Sequence, residues 1–400
     1  MKLRKAYIFP LIMCLCFLCV CFMPLTTFAA SSSATLTVDG VLIGTFASVQ
    51  QAVDLVETTP GSNFVIEVAE GTVSDPLNIL QIPNKNVVLR PQAGATVTFT
   101  NTITIDGNGN LNSPETLLIE GFNFDFTAGT PVECIYFNLI PPRVGFCYPH
   151  NITINGCNFK GVFGTTVVVQ SVTGGSRNIA IMNCTASDVH SLAQLKAVAG
   201  YAFIQNCIVS NSAEGGVNFY GPGDLIIDSC KFDVANYAVR SGQGAGVISN
   251  LGSVTVNNSI LNSSSASDGT IVLRGDSTSN INIVHSNITN TNPAGAAIQN
   301  LNGASVDLYD IDIVESNITG QIMGINLSTI TTIDDPNVPN GPVSVIEPIE
   351  PDNPFRDLLL LILSIPILVI ILVILALLLA ILIIRLIIRF VRFLINLITS

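Results

Sequence analysis

Apolar and polar residues alternate in short runs through the middle of the chain, and the runs recur. Residues 116–124 (TLLIEGFNF), 151–159 (NITINGCNF), 178–186 (NIAIMNCTA), 201–209 (YAFIQNCIV), 224–232 (DLIIDSCKF), 253–261 (SVTVNNSIL), 280–288 (NINIVHSNI) and 305–313 (SVDLYDIDI) share one plan. Each reads as a short alternating strand, two turn residues and a second short strand. The seventh position holds Phe122, Cys157, Cys184, Cys207, Cys230, Ser259, Ser286 and Ile311, at spacings of 35, 27, 23, 23, 29, 27 and 25 residues. Self-similarity at this period predicts a solenoid, whose units bury their apolar faces only against each other. The sixth position holds Gly121, Gly156, Asn183, Asn206, Ser229, Asn258, His285 and Asp310. Gly, Asn, Asp and His tolerate positive φ best, so this column predicts one left-handed bend per turn. Third strands fit between repeats, for example at 166–170, 216–220, 270–274 and 297–301. Ile152, Ile154, Ile179, Ile181, Ile226, Val254, Val256, Ile281, Ile283, Val306 and Leu308 are the expected inward ladders. A short helix is expected over 48–57, with Ser48 and Gln51 as a capping box and Val49, Ala52, Val53 and Val56 on one face. That apolar face has to cover something, so the helix is expected to cap one end of the coil.

Three short strands per turn predict an all-β, right-handed parallel β-helix of about ten turns stacked at about 4.8 Å. The repeats, the bend column and the helix leading into 63–71 (NFVIEVAEG) resemble the pectate-lyase-like right-handed β-helix superfamily over residues 46–330. That superfamily holds lyases, hydrolases, phage tailspikes and non-catalytic adhesins, so the resemblance implies a fold and no single activity. Its polygalacturonases carry Asn-Thr-Asp, paired Asp, Gly-His-Gly and Arg-Ile-Lys elements; here the paired Asp is Asp334-Asp335, beyond the repeats. Its pectate lyases need an acidic calcium cluster and a catalytic Arg. Arg240 and Arg274 fall near third strands, with no matching Asp group in the sequence. No catalytic residue carries over from the resemblance.

The ends differ from the middle. Residues 1–30 read as a signal peptide: Lys2, Arg4 and Lys5, an apolar run, then small residues up to Ala29-Ala30. The β-helix domain is expected over 31–330. Residues 331–357 hold six prolines and several acids and read as an extended stalk. Residues 358–384 carry no charge and suit a transmembrane helix; 385–400, with Arg385, Arg389 and Arg392, suit a basic amphipathic cytoplasmic tail. The expected location is the cell membrane, single-pass, with the coil outside the cell.

Charge narrows the partners. The chain has a net charge of −12. Residues 30–355 hold nine bases against 27 acids, or about −18. Such a surface repels nucleic acid, and it disfavours polyanionic substrates unless cations intervene. There is no Trp, and Tyr201, Tyr220 and Tyr237 are spread over separate turns, so the stacking signal for sugars is thin.

Six cysteines follow the signal. Cys157, Cys184, Cys207 and Cys230 share one column, where a core thiol ladder competes with disulfide or metal ligation. Ser259 and Ser286 continue the column, which favours packing. Cys134 and Cys147 lie in a long Pro-containing interval and are the disulfide candidates, with Tyr136, Phe137, Leu139, Ile140 and Phe146 between them. Asp188, His190 and Glu214 form the one acid–base grouping that adjacent loops could bring together, set against a solvated loop cluster. No metal or cofactor is expected. The leading expectation is a non-catalytic adhesion, binding or surface-display module for an unknown extracellular ligand, carbohydrate or protein. The alternative is a polysaccharide lyase or glycoside hydrolase of the same fold.

Overall fold

Among the described residues the strands stack into three sheets of thirteen, ten and ten members. The structure, a computed structural model, describes residues 32–80, 85–106, 116–128, 133–138, 151–162, 164–169, 178–196, 200–220, 223–242, 252–274, 279–301, 309–325 and 330–333. Successive coils pair in parallel: Ile152 lies against Ile179, Ile179 against Ala202, and Ala202 against Leu225. The first sheet takes the leading strand of each repeat, the second sheet the strand after the bend, and the third sheet the strand that returns to the next repeat. The fold is an all-β, right-handed solenoid with one short helix among the described residues.

Alternation within each strand decides what is inside. Ile152, Ile154, Ile179, Ile181, Val254, Val256, Ile281 and Ile283 are buried in the core. Ile226 is not. Leu225 and Ile227 face inward instead, because Leu225 pairs with Ala202 and Val254, which are themselves inward. Three apolar residues in a row leave the phase of that strand open in the sequence, and the neighbouring rungs fix it. Val306 and Leu308 lie outside the described residues.

The bend column is present. Gly121, Gly156, Asn183, Asn206, Ser229, Asn258 and His285 all have φ between 48° and 76°. The last member is Glu315 at φ 46°, not Asp310. Strand Tyr309–Val314 sets Asp310 opposite Asn280 and Ile311 opposite Ile281, so the bend falls five residues later and the seventh position is Ser316. A second left-handed column, Gly161, Asp188 and Asn211, marks the corner between the second and third sheets.

At the first coil the helix Val49–Thr58 buries Val49, Ala52, Val53 and Val56. Gln51 N donates to Ser48 Oγ, and Ala47 N donates to Gln51 Oε1, which closes the N-terminal turn. Lys85 Nζ donates to the carbonyls of Val56, Glu57 and Thr59, satisfying groups that a helix end leaves open. Beside the helix, strands Ala34–Val38 and Val41–Phe46 form an antiparallel hairpin turning at Asp39-Gly40, both at positive φ.

The chain divides into Met1–Ile346 and Glu347–Ser400, and the second unit lies wholly outside the described residues. So do the expected signal peptide (1–30), the stalk from 334 onward, the 358–384 span and the 385–400 tail. Among the described residues, no helix is long and apolar enough to cross a membrane.

Candidate functional site

On the third sheet one outward column runs Tyr136, Val168, Gln194, Asn218, Arg240, Val272 and Gln299, each residue in register with the next. The residues flanking it, Ile135, Val167, Ala193, Val217 and Val239, point into the core. Regular stacking therefore places polar side chains from distant parts of the sequence side by side. Val168, Gln194, Asn218 and Arg240 of this column line a cleft of about 450 Å³ together with Glu133, His190, Glu214, Tyr220 and Tyr237.

His190 and Glu214 sit at the corner where the second sheet turns into the third. The His190 carbonyl accepts from Glu214 N at 2.8 Å, Gly215 N at 3.1 Å and Ser212 Oγ at 2.7 Å. The two residues are thus stacked by the backbone, and His190 Nδ1 lies 2.8 Å from Glu214 Oε2. On the next coil, Arg240 Nη1 is 3.8 Å from Glu214 Oε1 and its Nη2 is 3.2 Å from Asp268 Oδ2. The guanidinium also covers the Tyr237 ring at 3.7 Å. Gly215 makes room for that ring, since a Cβ there would lie 2.5 Å from Tyr237 Cε2. Burial is the main cause that pushes the Tyr237 phenol well above its usual range. It also raises the Glu133 carboxyl.

Two polar atoms among these residues lack a hydrogen-bond partner: Asn218 Oδ1 and Arg240 Nε. Asn218 is 7% exposed, and its Nδ2 donates to Tyr220 OH. A buried amide oxygen without a donor costs about 1–3 kcal/mol unless something supplies one.

The sequence-predicted trio divides. His190 and Glu214 come together, whereas Asp188 stands in the second bend column at φ 55°, where its carboxylate accepts from Asn211 Nδ2. Arg240 does have acidic partners, Glu214 and Asp268, which lie 26 residues before and 28 after it in sequence. Tyr220 and Tyr237 line one cleft despite lying on separate coils; Tyr201 is on the first sheet. Asn218, Glu133 and Asp268 went unnoticed in the sequence. Aligning the third strands at their outward position would have found Asn218 and Arg240 together.

Cys157, Cys184, Cys207 and Cys230 are buried free thiols in one inward column. Each Sγ donates to the carbonyl two residues back and to one on the preceding coil, as Cys207 does to Gln205 at 3.3 Å and Ile181 at 3.4 Å. Hydrogen bonds donated to neighbouring sulfurs, and then burial, raise the Cys184 and Cys230 thiols. The expected Cys134–Cys147 pair falls partly outside the described residues, since Cys147 is not among them. Cys134 is a fully buried free thiol within the core, raised by burial. Of the apolar residues around it, Tyr136 and Phe137 belong to the third-sheet strand Ile135–Asn138, with Phe137 in the core.

No family model matches the chain, and no curated protein matches it. A solved structure described as ORF18 of Geobacillus virus E2 is similar, at 11% identity and a TM-score of 0.32, over 71% of this chain and 55% of that one. The chain thus spans little more than half of that protein, and so distant a likeness carries no argument about function.

Proposed function

We propose that this chain is a cell-surface binding module of the pectate-lyase-like β-helix type, with the third-sheet cleft as the seat of a carbohydrate. The supporting observation is Asn218: a nearly buried amide that lines the polar cleft and whose oxygen has no donor. Sugar hydroxyls supply such donors, and the Gln194, Ser191 and Thr165 side chains beside it can return the bonds. In this reading the residues before 31 direct export, and residues 358–384 hold the coil at the outer face of the membrane.

The reading is tested by passing the full-length chain, solubilised in detergent, over an array of immobilised glycans while assaying each for cleavage. Retention without cleavage, lost in Asn218→Leu at unchanged melting temperature, is the expected result. Retention unchanged in Asn218→Leu, or no retention at all, removes the proposal.

One observation favours a second reading. Glu133, raised by burial, and Glu214, beside Arg240, line the same cleft. Glycoside hydrolysis uses a pair of carboxyl groups set in different environments. Cleavage products that disappear in both Glu133→Gln and Glu214→Gln would establish that reading in place of simple binding.

A further inference from the structure

Resting on the binding reading above, we infer that the cleft selects a hydroxyl-rich glycan bearing no carboxylate or sulfate. The argument is one of charge and of donor supply. Among the described residues, Arg240 is the sole Lys or Arg lining the cleft. Recognition of an anionic sugar calls for a guanidinium fork offered to the ligand's acid group. Here the guanidinium is engaged within the protein: Nη2 lies 3.2 Å from Asp268, Nη1 lies 3.8 Å from Glu214, and its plane lies on Tyr237, while Nε is buried without a partner. Its side chain is only 12% exposed. An incoming carboxylate would have to displace one of these partners and leave a charge unpaired.

The remaining charges act the same way. Glu133 and Glu214 line the cleft, Asp268 stands beside Arg240, and Lys196 Nζ lies 5.9 Å from the centroid of the Tyr220 ring, so three carboxylates stand against two cations. At close range and with restricted access to water, that excess repels a second anion. The unpartnered buried atoms among these residues are one acceptor, Asn218 Oδ1, and one donor, Arg240 Nε. A carboxylate or sulfate brings acceptors only, whereas a hydroxyl brings a donor. Arg240 thus organises the wall of the cleft and leaves recognition to neutral groups.

The test compares retention of the full-length chain on neutral hexasaccharides (maltohexaose, cellohexaose, chitohexaose) and on hexagalacturonate and a heparin hexasaccharide, at about 150 mM salt with calcium absent and present. The expected result is at least tenfold stronger binding to a neutral hexasaccharide than to either anionic one. Asp268→Asn, which frees one edge of Arg240, narrows that ratio at least fivefold; Glu214→Gln repeats the comparison if the first variant melts early. Stronger binding to either anionic chain by the unaltered protein overturns the inference and leaves the cleft as a carbohydrate seat. Binding to neither class overturns the cleft reading and the inference with it.

Discussion

His285 and Glu315 occupy the same left-handed bend on successive coils, at φ 49° and 46°, with His285 Nε2 2.7 Å from Glu315 Oε2. His285 N also donates to the carbonyl of Val314, the residue before that Glu. A glutamate is an uncommon occupant of positive φ, so the stack over His285 offsets part of a local backbone cost. Glu315→Gly removes that cost of about 1–2 kcal/mol. It also loses an exposed ion pair worth about 0–1 kcal/mol. Its unfolding free energy in a urea titration should therefore lie between the parent's and about 2 kcal/mol above it. Glu315→Val keeps the strain, adds β-branching and loses the pair, and should cost about 1–2 kcal/mol or more.

Two glycines with nearly the same φ separate strain from space. Gly156 (φ 62°) has only Gly121 N near a prospective Cβ, at 4.0 Å. Gly161 (φ 69°) would put that atom 2.8 Å from Thr127 N and 2.9 Å from its Cα. Gly156→Ala should cost about 1–2 kcal/mol from strain alone. Gly161→Ala should cost clearly more in the same denaturant titration, because the obstacle is backbone and cannot rotate aside.

Gly215 positions the cleft without touching a ligand. Gly215→Ala should push the Tyr237 ring away and carry Arg240 with it. Glycan retention should fall at least tenfold, together with the melting temperature. The same loss of stability with full retention would show that the Tyr237–Arg240 stack is irrelevant to the site.

Buried thiols should be silent until the coil opens. Cys134, Cys157, Cys184, Cys207 and Cys230 should resist alkylation in the native protein and react in guanidinium chloride. Cys207→Ser should cost no more than about 1 kcal/mol, since Ser259, Ser286 and Ser316 hold the same column with the same carbonyl bonds. Rapid native labelling at Cys184 or Cys207 would contradict the inward ladder.

Glu133 gives a pH signature with a definite sign. Burial raises its folded pKa above the usual 4.5, so ionisation opposes folding. The penalty is absent below the unfolded value and is complete once pH has risen through the folded one. Glu133→Gln should therefore raise the melting temperature at pH 7 to 8 and leave it unchanged near pH 4. Equal effects at both pH values would rule out the burial of an ionised Glu133 as the cause.

Much of the coil is legible in the sequence because strand alternation and the bend column repeat the same local chemistry. Phe122 to Ser286 and Gly121 to His285 could be aligned by eye since each repeat solves the same backbone problem. The final repeat could not. Residues 305–309 and 310–314 alternate equally well, and only pairing with Ser279–Val284 selects the second. Ile226 failed for a related reason, as strand phase is decided by neighbours. The cleft was largely invisible because its residues, from Glu133 to Arg240, serve no common local need. They meet only when coils stack, and the turn length varies between repeats.

The most direct test is a crystal structure of the full-length chain with the glycan it retains most strongly. The account predicts ligand density on the third sheet, with a sugar hydroxyl within hydrogen-bonding distance of Asn218 Oδ1 and with Arg240 still held by Glu214 and Asp268. Density on the outer face of the first or second sheet, with the third-sheet cleft holding only solvent, would contradict it.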